Sequence, residues 1–278
     1  MSYKVGSSER PDLALAVVIG AGGLGMAVAR RLGQRHRLLL ADVNAATLEQ
    51  QVGVLKAQGY DAAGAVCDVT DPASVAALAH EARAQGPLRV LAHVAGLSPS
   101  MADWRTIMRV NLVGPTLMDE AMLALAGQGT AAIFIASLAG HNVAPPAHTV
   151  TLLDAPLAPE FLAALEAAAG PMTSTLAYQL SKFALIRMCA RRAAAWGRRG
   201  ARIVSLSPGM IATPMGALEF ERSPVKHALL AKTPLQREGT MHEIGDAVEF
   251  LASERASFVT GTDLLVDGGV AAALRHGD

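Results

Sequence analysis

The stretch ALAVVIGAGGLG at residues 14–25 decides how this chain folds. It opens with an uninterrupted apolar run, Ala14–Ile19, which is typical of a strand buried on both faces. Glycines follow at once, and Gly20, Gly22 and Gly25 match the spacing G-x-G-x-x-G. Glycine suits these positions because it allows a tight turn, close approach of the backbone to a phosphate, and close packing of the next helix on the strand. The stretch therefore predicts a strand, a phosphate-binding turn and a helix.

Beyond this stretch, short apolar runs alternate with helical patterns along the chain. Strands are expected at Ala14–Ile19, Arg37–Ala41, Ala62–Cys67, Val90–His93, Ala131–Ala136, Arg202–Leu206 and Leu264–Val266. Helices are expected at about 22–33, 45–58, 72–85, 104–126, 177–197 and 241–252. Strands that alternate with helices form crossover units. We therefore predict an α/β fold, in which a doubly wound, Rossmann-type parallel sheet of about seven strands carries helices on both faces.

We expect residues 13–278 to form a single domain of this kind, preceded by a polar tail at residues 1–12. Two stretches break the alternation of strands and helices. One is an insertion at about 141–172, which contains an extra helix at Pro159–Ala169, and the other is a loop at about 210–239. Each follows the carboxyl end of a strand, where ligands bind in open parallel sheets, so both are candidate walls of a substrate pocket.

The composition argues against several classes of partner. The 24 Lys and Arg residues balance the 24 Asp and Glu residues, so we expect binding neither to nucleic acid nor to a membrane surface. The uncharged segment from Leu13 to Ala29 is too short and too rich in glycine to span a membrane. The histidines form no paired metal-binding pattern, so no metal is expected. Cys67 and Cys189 lie outside any CxxC pair, which indicates free thiols in a cytoplasmic protein.

An acidic residue follows the second predicted strand. Asp42 lies 22 residues after Gly20, close to the spacing of an acid that binds the adenosine ribose. Its carboxylate would accept hydrogen bonds from the ribose hydroxyls and repel a 2′-phosphate, and no Lys or Arg lies in the glycine turn or beside it. We therefore predict NAD as the cofactor, with NADP less favoured. In the alternative interpretation Asp42 only caps the next helix, a role that Asn44 could fill instead.

A candidate catalytic pair lies on the predicted helix at 177–197. Tyr178 and Lys182 form a Y-x-x-x-K pattern, and residues four apart share one helix face. A nearby ammonium lowers the pKa of a phenol, which makes tyrosine a useful general acid/base near neutral pH. Ser137 ends an apolar strand, so its hydroxyl is expected at the same edge of the sheet as the glycine turn. The alternative is a surface lysine that happens to lie near a half-buried tyrosine.

These residues, taken in their order along the chain, resemble the short-chain dehydrogenase/reductase family. The similarity extends from Leu13 to Gly269. Its elements are the glycine turn 20–25, Asp42, Asp68-Val69, Ala95-Gly96, Asn111, Ser137 with Ala139-Gly140, Tyr178 with Lys182, Pro208-Gly209 followed by Thr213, and Asp267-Gly268-Gly269. No single element is specific, but the ordered set is.

The resemblance implies an NAD-dependent enzyme that interconverts a secondary alcohol and a ketone by hydride transfer. Tyr178 would act as general acid/base, Ser137 would orient the substrate oxygen, Lys182 would bind the nicotinamide ribose and lower the pKa of Tyr178, and Asn111 would hold a relay water. The implied cofactor contacts are Gly20, Gly22, Gly23, Leu24, Gly25, Asp42, Asp68, Val69, Ala95, Gly96, Tyr178, Lys182, Pro208, Gly209, Ile211 and Thr213. Asn111 could instead satisfy local backbone, and Asp68 could simply open a turn.

The chain departs from the family pattern in three places. The glycine turn is one residue shorter than the family's G-x-x-x-G-x-G. His93-Val94 replaces the family's Asn-Asn, and we expect His93 to be a satisfied core histidine rather than a catalytic one. The insertion at 141–172 places Ser137 and Tyr178 41 positions apart. Its apolar face, with Phe161, Leu162 and Leu165, could cover the substrate pocket or alter a subunit interface.

The resemblance also implies partners. A small alcohol or ketone is the expected substrate, and the mostly apolar stretches 141–172 and 210–239 favour a hydrophobic one. Related chains form homotetramers through the last strand and the long helices, and a dimer is the alternative if the insertion alters that interface. Two other functions compete: a non-catalytic NAD-binding regulatory protein on the same fold, and a nucleotide-sugar epimerase or dehydratase. The epimerase or dehydratase is disfavoured because the chain ends soon after Asp267-Gly268-Gly269.

Overall fold

A parallel sheet forms the centre of the computed structural model, which describes residues 13–213 and 224–277. Its strands are β1 Leu15–Ile19, β2 Arg37–Asp42, β3 Ala62–Val66, β4 Leu88–His93, β5 Ala131–Ile135, β6 Arg202–Pro208 and β9 Asp263–Val266. Their spatial order is β3-β2-β1-β4-β5-β6-β9, and all neighbours are parallel. The order reverses between β1 and β4, so the predicted doubly wound fold with seven strands is confirmed.

Helices cover both faces of this sheet. They are α1 Gly23–Leu32, α2 Ala45–Ala57, α3 Pro72–Gln85, α4 Trp104–Met108, α5 Gly114–Leu123, α6 Ala147–Leu153, α7 Phe161–Ala169, α8 Ser174–Gly197, α9 Pro224–Ala231, α10 Met241–Ala252 and α11 Val270–His276. One apolar core joins the sheet to α3, α5 and α8, and a second joins its opposite face to α1, α2 and α10. Two short strands, β7 Ile211–Ala212 and β8 Gly239–Thr240, pair with each other outside the main sheet.

The first strand shows why the sequence pattern predicted this architecture. All five residues of β1 are buried, because helices cover the sheet on both sides. Leu15, Val17 and Ile19 belong to the core on the α8 side, and Ala16 and Val18 belong to the core on the α1 side. Burial of each large aliphatic side chain stabilises the fold by about 1.5–3 kcal/mol.

Side-chain caps fix where several helices begin. Asp71 accepts hydrogen bonds from the N–H groups of Ala73 and Ser74 at the start of α3. Asn44 accepts the N–H of Thr47 at the start of α2, so Asn44 and not Asp42 caps that helix. The carboxylate of Asp42 therefore remains available for another role.

The observed elements differ from the predicted ones in three respects, although every predicted strand lies within two residues of its observed bounds. The helix expected at 104–126 is divided by a π-helical turn, Arg109–Val113, because Pro115 has no N–H to continue the α-helical ladder. Helix α6 and the β7–β8 pair were not predicted. The tail at 1–12 and part of the loop at 210–239 lie outside the described residues. No helix within 13–213 or 224–277 combines the length and apolar character needed to cross a membrane.

Candidate active site

The predicted site residues lie along one edge of the sheet. Gly20 follows β1, Asp42 ends β2, Ala95 and Gly96 follow β4, Ser137 follows β5, and Pro208 ends β6. In a parallel sheet these carboxyl ends point the same way, and the reversal of strand order between β1 and β4 opens a crevice there. Residues that are far apart in sequence thus meet at one place.

The glycine turn has the geometry that a dinucleotide needs. Gly20 has φ 100°, and a Cβ there would lie 2.9 Å from the backbone nitrogen of Ala95. A Cβ on Gly25 would overlap the carbonyl oxygen of Gly20, so helix α1 approaches the strand closely. A Cβ on Gly22 would meet nothing within 4 Å, which leaves open space in front of the turn. The first N–H groups of α1, at Gly23 and Leu24, point toward this turn end, where an anion is favoured.

The shortened turn therefore keeps the three steric roles expected of glycine. The residues fit a pyrophosphate, because the turn offers free space at Gly22 and helical N–H groups.

Asp42 is tied to this turn. Its Oδ2 accepts the N–H of Ala21 at 2.8 Å, and its Oδ1 accepts the N–H of Asn44 at 2.9 Å. A carboxylate oxygen can accept more than one hydrogen bond, so each oxygen can still accept a hydroxyl. Asp42 is half-buried and the neighbouring Val43 is exposed, which suits a group that meets a ligand at the protein surface.

Asp68 and Val69, which were both predicted to contact the cofactor, have different surroundings. Asp68 is exposed, and its Oδ1 accepts both the N–H and the hydroxyl of Thr70 at 2.8 Å. The local turn that the sequence allowed as an alternative is therefore present. Val69 is buried, and its side chain lies against Gly114 at the start of α5. A Cβ on Gly114 would lie 2.8 Å from Cγ2 of Val69.

Tyr178, Ser137 and Lys182 come together at the centre of the site. The hydroxyl of Ser137 acts on the phenol of Tyr178 and lowers its pKa. The Nζ of Lys182 lies 5.8 Å from the centroid of the Tyr178 ring and donates to the carbonyl oxygen of Ile135 at 2.9 Å. Helix α8 places both residues on one face, one turn apart, and Lys182 is 4% exposed.

The protonation equilibria of this pair differ from the expectation. Burial raises the pKa of Tyr178 above its ordinary value, and the hydrogen bond with Ser137 opposes that rise. The expected lowering of the Tyr178 pKa by Lys182 is not found in this geometry, because the ammonium bonds to a backbone carbonyl. Burial also lowers the pKa of Lys182 to about 8. Buried groups with shifted pKa values are typical of functional sites.

Asn111 and Gly96 complete the floor of the site. The side-chain amide of Asn111 is fully buried, and it both accepts from the N–H of Leu97 and donates to the carbonyl of Leu97, at 2.8 and 2.9 Å. This is the backbone role that the sequence allowed as an alternative. A Cβ on Gly96 would lie 3.3 Å from both Asn111 Oδ1 and Lys182 Nζ, so the amide and the ammonium flank the same backbone position.

The fourth group of predicted contacts follows β6. Gly209 packs against Asp267, and a Cβ on Gly209 would lie 2.7 Å from the Cα of Asp267. Ile211 pairs with Gly239, so the loop at 210–239 is closed at its base by β7 and β8. Thr213 is half-buried and is the last residue described before position 224.

The insertion at 141–172 packs its apolar face inward. Phe161 and Leu165 are buried in one cluster with residues of α4 and α8. Asp154 binds the guanidinium of Arg187 on α8 at 2.8 Å. Val143 and Met172, at the two ends of the insertion, belong to the same cluster, which also contains Tyr178. The insertion therefore packs on α8 and shares one apolar cluster with Tyr178.

Sequence reasoning missed several residues at this site. His93 is not the satisfied core histidine that was expected, because its Nε2 is buried and has no hydrogen-bond partner among the described residues. A hydrogen bond of 2.8 Å joins His141 Nε2 and Asp263 Oδ2, and the Ser207 hydroxyl donates to the other oxygen of Asp263 at 3.0 Å. This contact anchors the turn that begins at Ser137 to β9. No motif in the sequence signals either feature.

Comparison with known proteins gives matches along nearly the whole chain. A family model described as short chain dehydrogenase matches residues 14–149, and one described as Enoyl-(Acyl carrier protein) reductase matches residues 161–271. The first match ends and the second begins within the insertion, and together they include every predicted site residue.

Individual relatives are similar over most of their length. Short-chain dehydrogenase/reductase bsc3 of Alternaria brassicicola is 36% identical over 262 residues, which cover 93% of this chain and 96% of the relative. Galactitol 2-dehydrogenase (L-tagatose-forming) of Cereibacter sphaeroides is 35% identical over 271 residues, which cover 94% and 96%. Among solved structures, the blue fluorescent protein from a metagenomic library in complex with NADPH matches with a TM-score of 0.74 at 27% identity, covering 93% of this chain and 98% of that one.

Proposed function

This chain belongs to the short-chain dehydrogenase/reductase family, and we propose that it interconverts a hydrophobic secondary alcohol and a ketone with NAD(H), using Tyr178 as general acid/base. As a member of that family it is an oxidoreductase that acts on alcohols or ketones with a nicotinamide dinucleotide cofactor. One observation carries the finer proposal: Tyr178, whose pKa the Ser137 hydroxyl lowers, lies beside the buried Lys182, at the sheet edge that also holds the glycine turn.

Each residue has a role that its position allows. In alcohol oxidation the phenolic oxygen of Tyr178 takes the proton of the substrate hydroxyl, and in ketone reduction it returns the proton. The Ser137 hydroxyl, which acts on the phenol of Tyr178, orients the substrate oxygen. The ammonium of Lys182 has donors beyond the one bonded to Ile135, and these would bind the nicotinamide ribose. A nicotinamide dinucleotide bound at the glycine turn would accept or supply the hydride.

The preference for NAD rests on Asp42. Its carboxylate ends β2 next to the glycine turn and retains acceptor capacity for ribose hydroxyls. A 2′-phosphate at the same place would meet like charge, and no Lys or Arg lies within 20–25 or next to Asp42. The related structure that holds NADPH makes a direct comparison of the two cofactors necessary.

The preference for a hydrophobic substrate rests on the walls of the site. Leu97, Val143, Met172 and Leu176 are partly buried in the cluster that contains Tyr178. Apolar side chains on that side favour a substrate with apolar surface beside its carbinol carbon. The relative named for galactitol, a polyol, gives the contrasting substrate class for a test.

Tyr178→Phe tests this function, because it removes the phenolic oxygen and keeps the ring. With NAD and cyclohexanol, we expect turnover to fall by at least about 10²-fold, the contribution of a general acid/base. Calorimetric titration with NADH should give an affinity within a few-fold of the wild type. Tyr60→Phe is the matched control, since Tyr60 is half-buried and packs beside Gly33 instead of lying at the site.

Other outcomes separate the alternatives. Near-normal turnover in Tyr178→Phe would remove the proposed mechanism. Oxidation of galactitol without oxidation of cyclohexanol would replace the hydrophobic substrate class. Tight NADH binding without turnover of any alcohol or ketone in a broad panel would favour the non-catalytic regulatory protein.

A further inference from the structure

His93 is a buried polar side chain with an unused hydrogen-bonding atom. It ends β4, pairs in register with Ile19 of β1 and Phe134 of β5, and is 1% exposed. Its ring stacks on Phe134 with 5.5 Å between centroids. Its Nε2 has no hydrogen-bond partner among the described residues, and burying such an atom costs about 1–3 kcal/mol. A phenylalanine would stack on the same ring without that cost.

The charge state of His93 follows from its surroundings. Burial, and then the charge of Lys182, lower the pKa of His93 to about 3, so the ring is neutral near pH 7. A neutral imidazole carries its proton on one ring nitrogen, and in the tautomer protonated at Nδ1 the Nε2 is a hydrogen-bond acceptor. The thiols of Cys67 and Cys189, which lie in the core on this face, stay neutral because burial raises the pKa of each.

Lys182 supplies hydrogen-bond donors. An ammonium has three donors, and one of them bonds to the carbonyl of Ile135, which directly follows Phe134 in β5. The amide of Asn111, on the other side of Gly96, is used by the backbone of Leu97. The ammonium thus bonds to the residue next to Phe134, on which the ring of His93 stacks, and its charge acts on that ring.

We propose that His93 is a positioning residue for Lys182: its neutral Nε2 accepts a hydrogen bond from the ammonium, directly or through one water, and holds the charged group in place to act on Tyr178. The role rests on the proposed function, because it acts through Lys182 and not on the substrate. It explains why the chain keeps an imidazole where a purely apolar residue would fill the core.

The pKa of Lys182 gives a test that needs no substrate. The chain contains five lysines, so carbon-13 labelling at Cε gives few signals, and Lys182→Met identifies the one from Lys182. An acceptor that bonds to the charged form raises a lysine pKa. We expect His93→Phe to lower the titration midpoint of Lys182 by about half a pH unit or more from its value near 8. His93→Asn restores an acceptor, so we expect it to bring the midpoint most of the way back to the wild-type value.

Two controls make the result decisive. His36→Phe replaces a half-buried histidine that bonds to Leu32 near the end of α1, and it should leave the Lys182 midpoint unchanged. If His93→Phe does not fold, the nitrogen-15 signal of Nε2 in the wild type is compared with that in Lys182→Met. The proposal predicts that this signal moves when the ammonium is removed.

The opposing results are equally clear. An unchanged Lys182 midpoint in His93→Phe, a lowered midpoint that His93→Asn does not restore, or an Nε2 signal indifferent to Lys182→Met would overturn the role of His93. The proposed function is judged separately by the turnover of Tyr178→Phe. A failure of one therefore cannot be mistaken for a failure of the other.

Discussion

At the scale of single residues, Asp42 shows how one carboxylate can hold a loop and still offer a ligand site. It accepts one N–H from the glycine turn and one from the start of α2. Those bonds fix the orientation of the carboxylate before any cofactor binds, which reduces the ordering cost of binding. The residue proposed to choose the cofactor is thus also part of the turn that holds it.

Asp42→Asn should weaken NADH binding by roughly tenfold or more, because a hydrogen bond to a charged group contributes about 1.5–3 kcal/mol. NADPH binding should change less or improve, since the repulsion of a 2′-phosphate is removed. Calorimetric titration of both cofactors measures the two effects. Asp61→Asn is the control, because Asp61 pairs with Arg37 at the opposite end of the strands. A wild-type preference for NADPH would contradict the assignment of Asp42.

Lys182 shows the free-energy cost of burying a charged group at the site. Its buried ammonium has a pKa lowered to about 8, so the folded protein holds a charge in surroundings that disfavour it. A site that keeps such a group gives up stability for function. The carbonyl of Ile135 accepts a hydrogen bond from the ammonium and reduces this cost, and the same effect is proposed for His93.

At the scale of elements, the insertion is a brace for α8. Leu165 of α7 is fully buried against the cluster that contains Leu180 and Ala184 of α8. Asp154, at the end of α6, pairs with Arg187 and Arg191 on the same helix. Of the two roles left open by the sequence, a cover over the pocket is thus disfavoured for α6 and α7. The ends of the insertion still reach the catalytic tyrosine.

Leu165→Ala should lower the free energy of unfolding by about 2–5 kcal/mol, the usual cost of truncating a buried leucine. Leu157→Ala, in the same insertion but 37% exposed, should cost far less. Urea unfolding at equilibrium measures both. If α7 were instead a mobile cover over the substrate, Leu165→Ala would leave the unfolding energy near the wild type and raise KM.

Elements were predictable where their signal is local. Strand β1 and the helix after it follow from an apolar run and a glycine turn, and α3 follows from Asp71-Pro72. Helix α6 lacks such a signal, and it depends on packing against α8 from a distant part of the chain.

At the scale of the whole molecule, the insertion changes which surfaces remain for a second copy. Its Asp154 and Pro156 line one cavity with Leu112, Thr116 and Met188, so the insertion overhangs the outer side of the π-helical turn, α5 and α8. The family resemblance led us to expect association through the long helices and the last strand. The edge strand β9 stays partly exposed, whereas the long helices are partly covered. We propose that the chain forms a dimer through the β9 side instead of the tetramer.

Light scattering coupled to size-exclusion chromatography measures the assembly directly. We expect a mass of twice that of one chain, unchanged over a tenfold range of concentration. If two copies paired along β9, the half-buried Leu264 of each strand would become buried. Leu264→Lys should therefore shift the mass toward that of one chain. Leu157→Lys, on the insertion, should leave the mass unchanged. A tetramer in the wild type would show that the insertion leaves the long-helix interface usable.

The sequence by itself determined the order of strands and helices and the glycine turn, because each of these signals lies within a few neighbouring residues. The set Asn111, Ser137, Tyr178 and Lys182 was predicted from the resemblance of the ordered motifs to one family. Tertiary structure alone decided how that set is used. It brought Ser137 to Tyr178 across the insertion and His141 to Asp263 across 122 positions. It also left Nε2 of His93 unpaired behind Lys182. Burial and hydrogen bonding depend on which distant groups share a space, and only the folded chain specifies that.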